Sequence, residues 1–383
     1  MSEQSVYITD ISTFLPNAPV GNDDMERILG QVGDRPSRAR RTVLRSNGIT
    51  SRHYAIDPVT LLPNYSNAQM TAEAVRGLDG KQISLNDIEC LSCGTSIADQ
   101  LMPNHAAMVQ GELQLPHCEA VATSGVCGSS MAALKYAYMS VRCGLHNNAV
   151  ATGSELSSAI MQAQNFHGET ETSVDELARQ PELAFEKDFL RWMLSDGAGA
   201  ILLQDKPATE GLSLRINWLD ILSYAGEMEA CMYAGATKNS DGSLQGWQRL
   251  SNEQRSAQSV MTVKQDVKLL NENIVHYTVE KPLLELTAKH SFKADDIDWF
   301  LPHYSSAFFR DKLSVGLENA GLNIPRERWF TNLSEKGNTG AASMFLMLEE
   351  LYHSGKVSSG DNILCYIPES GRFSTSFLYL TAG

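Results

Sequence analysis

No segment of this chain approaches the roughly 18 consecutive apolar residues that a membrane-crossing helix needs, so a spanning segment is not expected. Charged residues are scarce, at 20 % against about 25 % in an average soluble domain. That deficit points to a large interior or to surface hidden in an oligomer. Positive charge is in the minority, with 31 Lys and Arg against 45 Asp and Glu, a formal charge of −14, and such a balance repels nucleic acid on average. A disulfide framework is lacking: the cysteines number seven, an odd count spread from Cys90 to Cys365. The expected compartment is therefore a reducing one. Cys90 and Cys93 form a C-x-x-C inside the apolar run ECLSC, but no second pair completes a zinc site, and no metal is expected. The N-terminal segment MSEQSVYITDIS has neither a basic n-region nor an apolar h-region, and the expectation is a soluble, cytoplasmic protein. Wholesale disorder is excluded, because 43 % of the residues are hydrophobic. A chain of 383 residues buries enough surface to fold without staples.

What is present is an alternation of short apolar runs with helix-period stretches, the pattern of an α/β fold. Strands are expected over Val6–Ile11, Ile88–Ser92, Ala149–Ala151, Ala200–Leu203, Trp299–Leu301 and Ile363–Ile367. Amphipathic helices are expected over Ser129–Cys143, Ser305–Ala320 and Ala341–His353. The polar, acidic stretch Asn165–Phe189 reads as a helix and loop excursion of lid type. Arginines 35, 38, 40, 41, 45 and 52 make a basic stretch on an otherwise acidic chain. It reads as a solvated face or as a dock for an acidic or phosphorylated partner.

Two segments resemble each other. Asp87-Ile88-Glu89 leads into CLSCGTS, and Asp296-Ile297-Asp298 leads into WFLPHYSS. About 40 positions later each is followed by a turn of small residues, around Cys127 in one case and Asn338 in the other. Cys127 stands 17 residues before Gly144, and Asn338 stands 17 before Gly355. An internal duplication follows, with one half over residues 1–205 and the other over 206–383, and Cys127 and Asn338 at equivalent positions.

Three side chains stand out chemically. Cys127 sits between a strand and a helix, where unpaired backbone N–H groups and the positive end of the helix dipole favour thiolate. Gly128, Ser129 and Ser130 leave room there for a substrate, in the manner of a nucleophile elbow. His303 closes the apolar run Trp299–Pro302, at the strand end where α/β sites gather. Asn338, between Gly337 and Thr339-Gly340, is read either as a helix N-cap or as a donor to a developing oxyanion. Together a thiol, an imidazole and a carboxamide supply acyl capture and oxyanion stabilisation.

The set resembles the thiolase-fold condensing enzymes, in particular the β-ketoacyl-ACP synthase III branch. The likeness rests on the Cys127 turn, Ser195-Asp196-Gly197-Ala198-Gly199-Ala200, the His303 strand end and Gly337-Asn338-Thr339-Gly340-Ala341-Ala342-Ser343, and it covers essentially the whole chain. It implies a five-layered αβαβα fold of two similar halves and a homodimer. Cys127 would carry an acyl thioester. His303 and Asn338 would stabilise the enolate formed by decarboxylating a malonyl-type extender, and that carbanion would attack the thioester. No bound cofactor is implied, only a phosphopantetheine thioester on acyl carrier protein or coenzyme A. Relatives have a tryptophan near Arg45-Ser46-Asn47-Gly48-Ile49 that stacks on coenzyme A; no Trp precedes position 192 here. This favours delivery by acyl carrier protein, for which Arg38, Arg40, Arg41 and Arg45 make a dock. The family's C-terminal glycine run reads Glu369-Ser370-Gly371-Arg372, so Gly371 or Arg372 would join Cys127 in the oxyanion hole, with the Arg372 side chain at the cavity wall or in solvent. Met102, on a loop that crosses the dimer interface in the family, would shape the acyl pocket. Glu155, ending AVATGSE at the same edge as Cys127, is a structural acceptor or a base for a second deprotonation. The latter suits the branch that joins and cyclises two acyl chains toward cyclohexanediones and dialkylresorcinols. A same-fold acyltransferase working on an oxygen or nitrogen nucleophile, and a non-catalytic partner subunit, are the alternatives.

Overall fold

The computed structural model describes residues 4–32, 40–166 and 190–383. The expected excursion after Asn165 lies mostly outside these residues, as does Arg38. Nine strands form the main sheet: β1 Tyr7–Phe14, β2 Cys90–Thr95, β3 Glu119–Ser124, β4 Asn148–Glu155, β5 Gly197–Gln204, β6 Leu214–Ser223, β7 Trp299–Pro302, β8 Asn362–Glu369 and β9 Ser374–Ala382. All six expected strands are present; four are extended, while those expected from Val6 and Ile88 begin later, at Tyr7 and Cys90, and run further. Strands β6 and β9 were not anticipated.

The spatial order is β7-β8-β9-β6-β1-β5-β4-β2-β3. Outward from the centre, β1-β5-β4-β2 and β6-β9-β8-β7 follow one scheme. β2 pairs parallel with β4, as β7 does with β8, while β1–β5 and β6–β9 are antiparallel. The partner of β3 in the second series shrinks to one parallel bridge, Phe300 with Trp329. A short antiparallel contact, Tyr7 opposite Arg215 and Ile8 opposite Leu214, joins the two series.

Packed against them are seven helices named here: α1 Asn67–Arg76, α2 His105–Leu113, α3 Ser129–Arg142, α4 Val267–Val275, α5 Lys281–His290, α6 Phe308–Asn319 and α7 Ser343–His353. A π-helical turn, His276–Glu280, joins α4 to α5. Successive strand residues face opposite ways, and the core separates accordingly. Leu91, Ala200 and Leu202 pack outward with α1 and α2. Cys90, Ile201 and Leu203 turn inward onto α3 and α7, which Ile363, Cys365 and Leu380 cover from the other side. Leu364, Tyr366 and Phe377 face outward again, toward α4, α5 and α6. The layers are thus α, β, α, β, α. The middle helices explain the apolar strands: a sheet covered on both faces reads as a near-continuous apolar run. α7 is buried from Ser343 through Leu348, as expected of a helix apolar on most sides.

Cys90 and Cys93, three positions apart on β2, belong to clusters on opposite faces, so this C-x-x-C cannot chelate one ion. Phe345 lies in the middle layer with no exposed surface. Its replacement by Ala should destabilise the fold by about 3–5 kcal/mol, measured by denaturant unfolding.

Candidate active site

The middle helices carry the site. β3 ends at Ser124 and α3 begins at Ser129, leaving Cys127 in the tight turn between them, partly buried. The Asn338 turn is built differently. Gly337, at φ 72, closes the short helix Leu333–Lys336. The Asn338 backbone is then fixed on both sides: its N–H donates to Met193 O and its carbonyl accepts from Ser195 N, each at 2.9 Å. A 3₁₀ turn, Gly340–Ala342, intervenes before α7. Asn338 is therefore not the N-cap of α7. Its Oδ1 accepts from Gly340 N at 3.0 Å, which leaves the Nδ2 group as the donor. His303 follows β7 directly, and its N–H donates to Tyr366 O at 2.8 Å, extending the β7–β8 ladder.

Cys127, His303 and Asn338 line one cavity. Its wall is mainly apolar, with Leu270 and Ile274 from α4, Val279 from the π turn, and Phe309 and Leu313 from α6. Pro368 and Ser370 close it at the end of β8. A cavity of this kind, apolar with a few polar groups at one point, suits a chain-like substrate with one reactive end.

Burial shapes the charges. It lowers the His303 pKa to about 4, so the imidazole is neutral at pH 7. Burial also pushes the Cys127 thiol well up, with Glu155 and Glu369 adding repulsion. Glu155 is enclosed, accepting from Ser96 Oγ at 2.6 Å and Ala341 N at 3.2 Å, and burial raises its pKa to about 7.

Glu369 is the residue that sequence reasoning passed over. It ends β8, and its Oε2 accepts from Val126 N at 3.1 Å and Gly128 N at 3.0 Å. The space beside Gly128 is thus filled by a carboxylate rather than left for a substrate. Asp196, part of the matched motif, ties two other segments to its own: it accepts from Ala55 N at 2.7 Å, and from Ser158 N at 2.8 Å and Ser157 Oγ at 3.1 Å.

Other expected residues lie elsewhere. Arg40 is not available as a dock. It pairs with Glu26 at 2.8 Å, donates to Asn22 O and sits over the Trp192 ring. Arg52, fully buried, donates to Asn22 Oδ1 and Trp192 O. Arg41 and Arg45 are exposed. Arg372 is exposed with its Nε on Met228 O, and it is not among the residues lining the cavity. Met102 is 81 % exposed and does not line the cavity of its own chain. At the opposite ends of β2 and β3, Cys90, Glu119 and His146 bring their donor atoms within 4.8 Å. There the Tyr136 hydroxyl holds Glu119, and Ser140 meets His146 Nδ1. No described helix is long and apolar enough to cross a membrane.

Comparison with known proteins agrees with this layout. Residues 67–208 match the β-ketoacyl synthase N-terminal domain family, and residues 287–367 match the 3-oxoacyl-[acyl-carrier-protein] synthase III C-terminal family. The β-ketoacyl-[acyl-carrier-protein] synthase III of Neisseria gonorrhoeae is 26 % identical over 367 residues, covering 94 % of each chain. Among solved structures, the tetronic acid condensing enzyme AbyA1 superposes with a TM-score of 0.72 at 19 % identity, covering 98 % of this chain and 99 % of its own. OleA of Xanthomonas campestris, solved with lauric acid and lauroyl-CoA bound, gives 0.72 at 18 % identity and 99 % coverage of both. The layers and the sheet are those of the thiolase-fold condensing enzymes, acyl-transferring enzymes. Within them, the sequence is similar in kind to the β-ketoacyl-ACP synthase III branch, through the C-terminal family match and the Neisseria relative.

The Glu155 environment gives a direct measurement. Infrared difference spectra should show a protonated carboxyl band that disappears as pH rises through about 7 and is missing from Glu155→Gln.

Proposed function

We propose that this enzyme is a ketosynthase fed by acyl carrier protein, forming a carbon–carbon bond by decarboxylative Claisen condensation at Cys127. The observation that supports this most is the convergence of Cys127, His303 and Asn338 on one apolar-walled cavity. In the first step Cys127 sulfur replaces the carrier thiol on the acyl carbonyl, and the carrier leaves as free thiol. Backbone N–H groups of Cys127 and of Gly371 or Arg372 would hold the oxyanion. A malonyl-type extender then loses carbon dioxide. The neutral His303 imidazole and the Asn338 amide donate hydrogen bonds to the enolate oxygen. The enolate carbon attacks the thioester, the Cys127–acyl bond breaks, and a β-ketoacyl carrier leaves. A neutral His303 fits this role because an imidazole at pH 7 with a pKa of about 4 still carries one N–H to donate.

Several finer readings attach to it. Glu155, half-ionised near neutrality, is the candidate base for a second deprotonation, in an enzyme of specialised lipid or polyketide synthesis whose product cyclises to a cyclohexanedione or dialkylresorcinol precursor. A homodimer is supported by the outer edge of β3, which carries no further strand among the described residues, and by the exposed Leu101 and Met102 nearby. In that assembly Met102 would reach the partner's pocket. Arg41 and Arg45 remain as the carrier dock, and the cytoplasm is the compartment. The repeated strand order supports a division into two halves after residue 205.

Incubation with labelled octanoyl carrier protein, read by intact mass, tests the core of the proposal. Cys127→Ala should form no acyl-enzyme; an adduct at full stoichiometry in that variant removes Cys127 as nucleophile. Asn338→Ala should still acylate but release little carbon dioxide from malonyl carrier. Undiminished release would remove Asn338 from the decarboxylation role assigned to it.

A further inference from the structure

The two acidic residues at the site are related by the repeat. β4 reads NAVATGSE and β8 reads NILCYIPE; each has eight residues, opens on Asn and closes on Glu. The opening residues behave alike: Asn148 Nδ2 donates to Asp87 O at 3.0 Å, and Asn362 Nδ2 donates to Asp296 O at 3.0 Å. Asp87 and Asp296 are themselves the matched acidic positions that precede β2 and β7. The strands that carry Glu155 and Glu369 also hold equivalent places in the sheet order, each beside the parallel strand of its series.

At the closing residues each side chain crosses to the other series. Glu155, from the first series, accepts from Ala341 N in the Asn338 turn. Glu369, from the second, accepts from Val126 N and Gly128 N in the Cys127 turn. In both turns a glycine stands where the carboxylate arrives. A Cβ on Gly128 would lie 2.6 Å from Glu369 Oε2, and a Cβ on Gly340 would collide with the Glu155 carboxylate. The niche at Gly128 is therefore made for this carboxylate.

We propose that Glu369 is a positioning residue for the reaction, a clamp that holds the Cys127 turn from across the repeat and whose charge sets the pH at which the thiol becomes reactive. This rests on Cys127 being the nucleophile. Two hydrogen bonds to the residues flanking Cys127 fix the direction of its side chain. They also occupy N–H groups at the start of α3 that would otherwise stabilise a thiolate, and they bring a negative charge in their place. The titratable groups around the thiol are Glu155 from β4, Glu369 from β8 and His303 after β7. Of the two carboxylates, Glu369 is only partly buried and is held by backbone donors at the nucleophile itself.

The test separates the clamp from the charge. In Glu369→Gln the amide oxygen can still accept both N–H groups, but the charge is gone. Cys127 carboxamidomethylation by iodoacetamide, followed across pH by peptide mass spectrometry, should shift its midpoint to lower pH in this variant, and the pH profile of acylation from octanoyl-N-acetylcysteamine should shift with it. Glu369→Ala loses the clamp as well, and its acylation rate should fall about tenfold or more. An alkylation midpoint in Glu369→Gln equal to or above that of the wild type, or acylation of Glu369→Ala at the wild-type rate, overturns the proposal. Should the alanine variant fail to fold, the pH profile of the glutamine variant decides alone. A failure of the underlying reading looks different: Cys127→Ala would then still form the acyl-enzyme, whereas a failure confined to Glu369 leaves Cys127 as the acylated residue.

Discussion

The burial of α3 and α7 between the two strand series is the constraint on which the site depends. Most of each helix is shut away from water, with Met139 of α3 and Glu350 and His353 of α7 as the exposed residues. Met131, Leu134 and Val141 of α3 and Met344, Phe345 and Leu348 of α7 sit in one core with residues from both strand series. Two helices held this way place their leading turns at the same end of the sheet, where β7 also ends. Cys127, Asn338 and His303, about 211 and 176 positions from the first by sequence number, meet there because the packing of the middle layer leaves them no other place. Large-to-small changes in that layer cost several kcal/mol, so the chemistry inherits its geometry from the best-packed part of the molecule.

The electrostatics of the site follow from that packing, and magnitudes decide the outcome. A helix N-terminus stabilises a nearby anion by about 0.3–1 kcal/mol, rising to about 2 in favourable partly buried cases. Full burial of a charged group shifts its pKa by up to about 3–5 units, each worth about 1.4 kcal/mol. At Cys127 burial wins, and two carboxylates add to it. The same exclusion of water keeps His303 neutral and brings Glu155 to about 7. Beside the Glu369 carboxylate, the resting site thus holds a thiol, a neutral imidazole and a half-protonated carboxyl. Of these groups Glu155 is the one poised to exchange a proton near neutrality.

Much of this was legible in the sequence. Six strands and the helices after Cys127 and Asn338 follow from apolar periodicity, because strands covered on both faces advertise themselves. The duplication shows in Asp87-Ile88-Glu89 against Asp296-Ile297-Asp298, since strand entries are local patterns. β6 escaped because LRINWLDILS mixes polar with apolar residues, as a strand with one less-buried face does, and β9 because STSFLYLTA buries hydroxyl residues at its start. Arg40 was misjudged for a different reason. A run of arginines reads as a patch only if each side chain is free, and the partner that removes Arg40, Glu26, lies 14 residues away and is invisible to a count of charges. Glu369 stood in plain view as a departure from a glycine run. Its role was hidden because the donors it meets, Val126 N and Gly128 N, are 243 and 241 positions distant.

The crossed carboxylates bear on the two turns that carry Cys127 and Asn338. A glycine at position 369 could supply only backbone. A glutamate supplies a charge and two acceptor sites at the nucleophile turn. Its counterpart Glu155 supplies another charge at the Asn338 turn, enclosed enough to titrate near neutrality. Both turns are thereby tied to the opposite strand series, so a shift in one series moves the reactive group of the other. The cavity wall comes largely from α4, the π turn and α6 of the second series. The cavity wall thus belongs mainly to the same series that places the Glu369 carboxylate at the Cys127 turn.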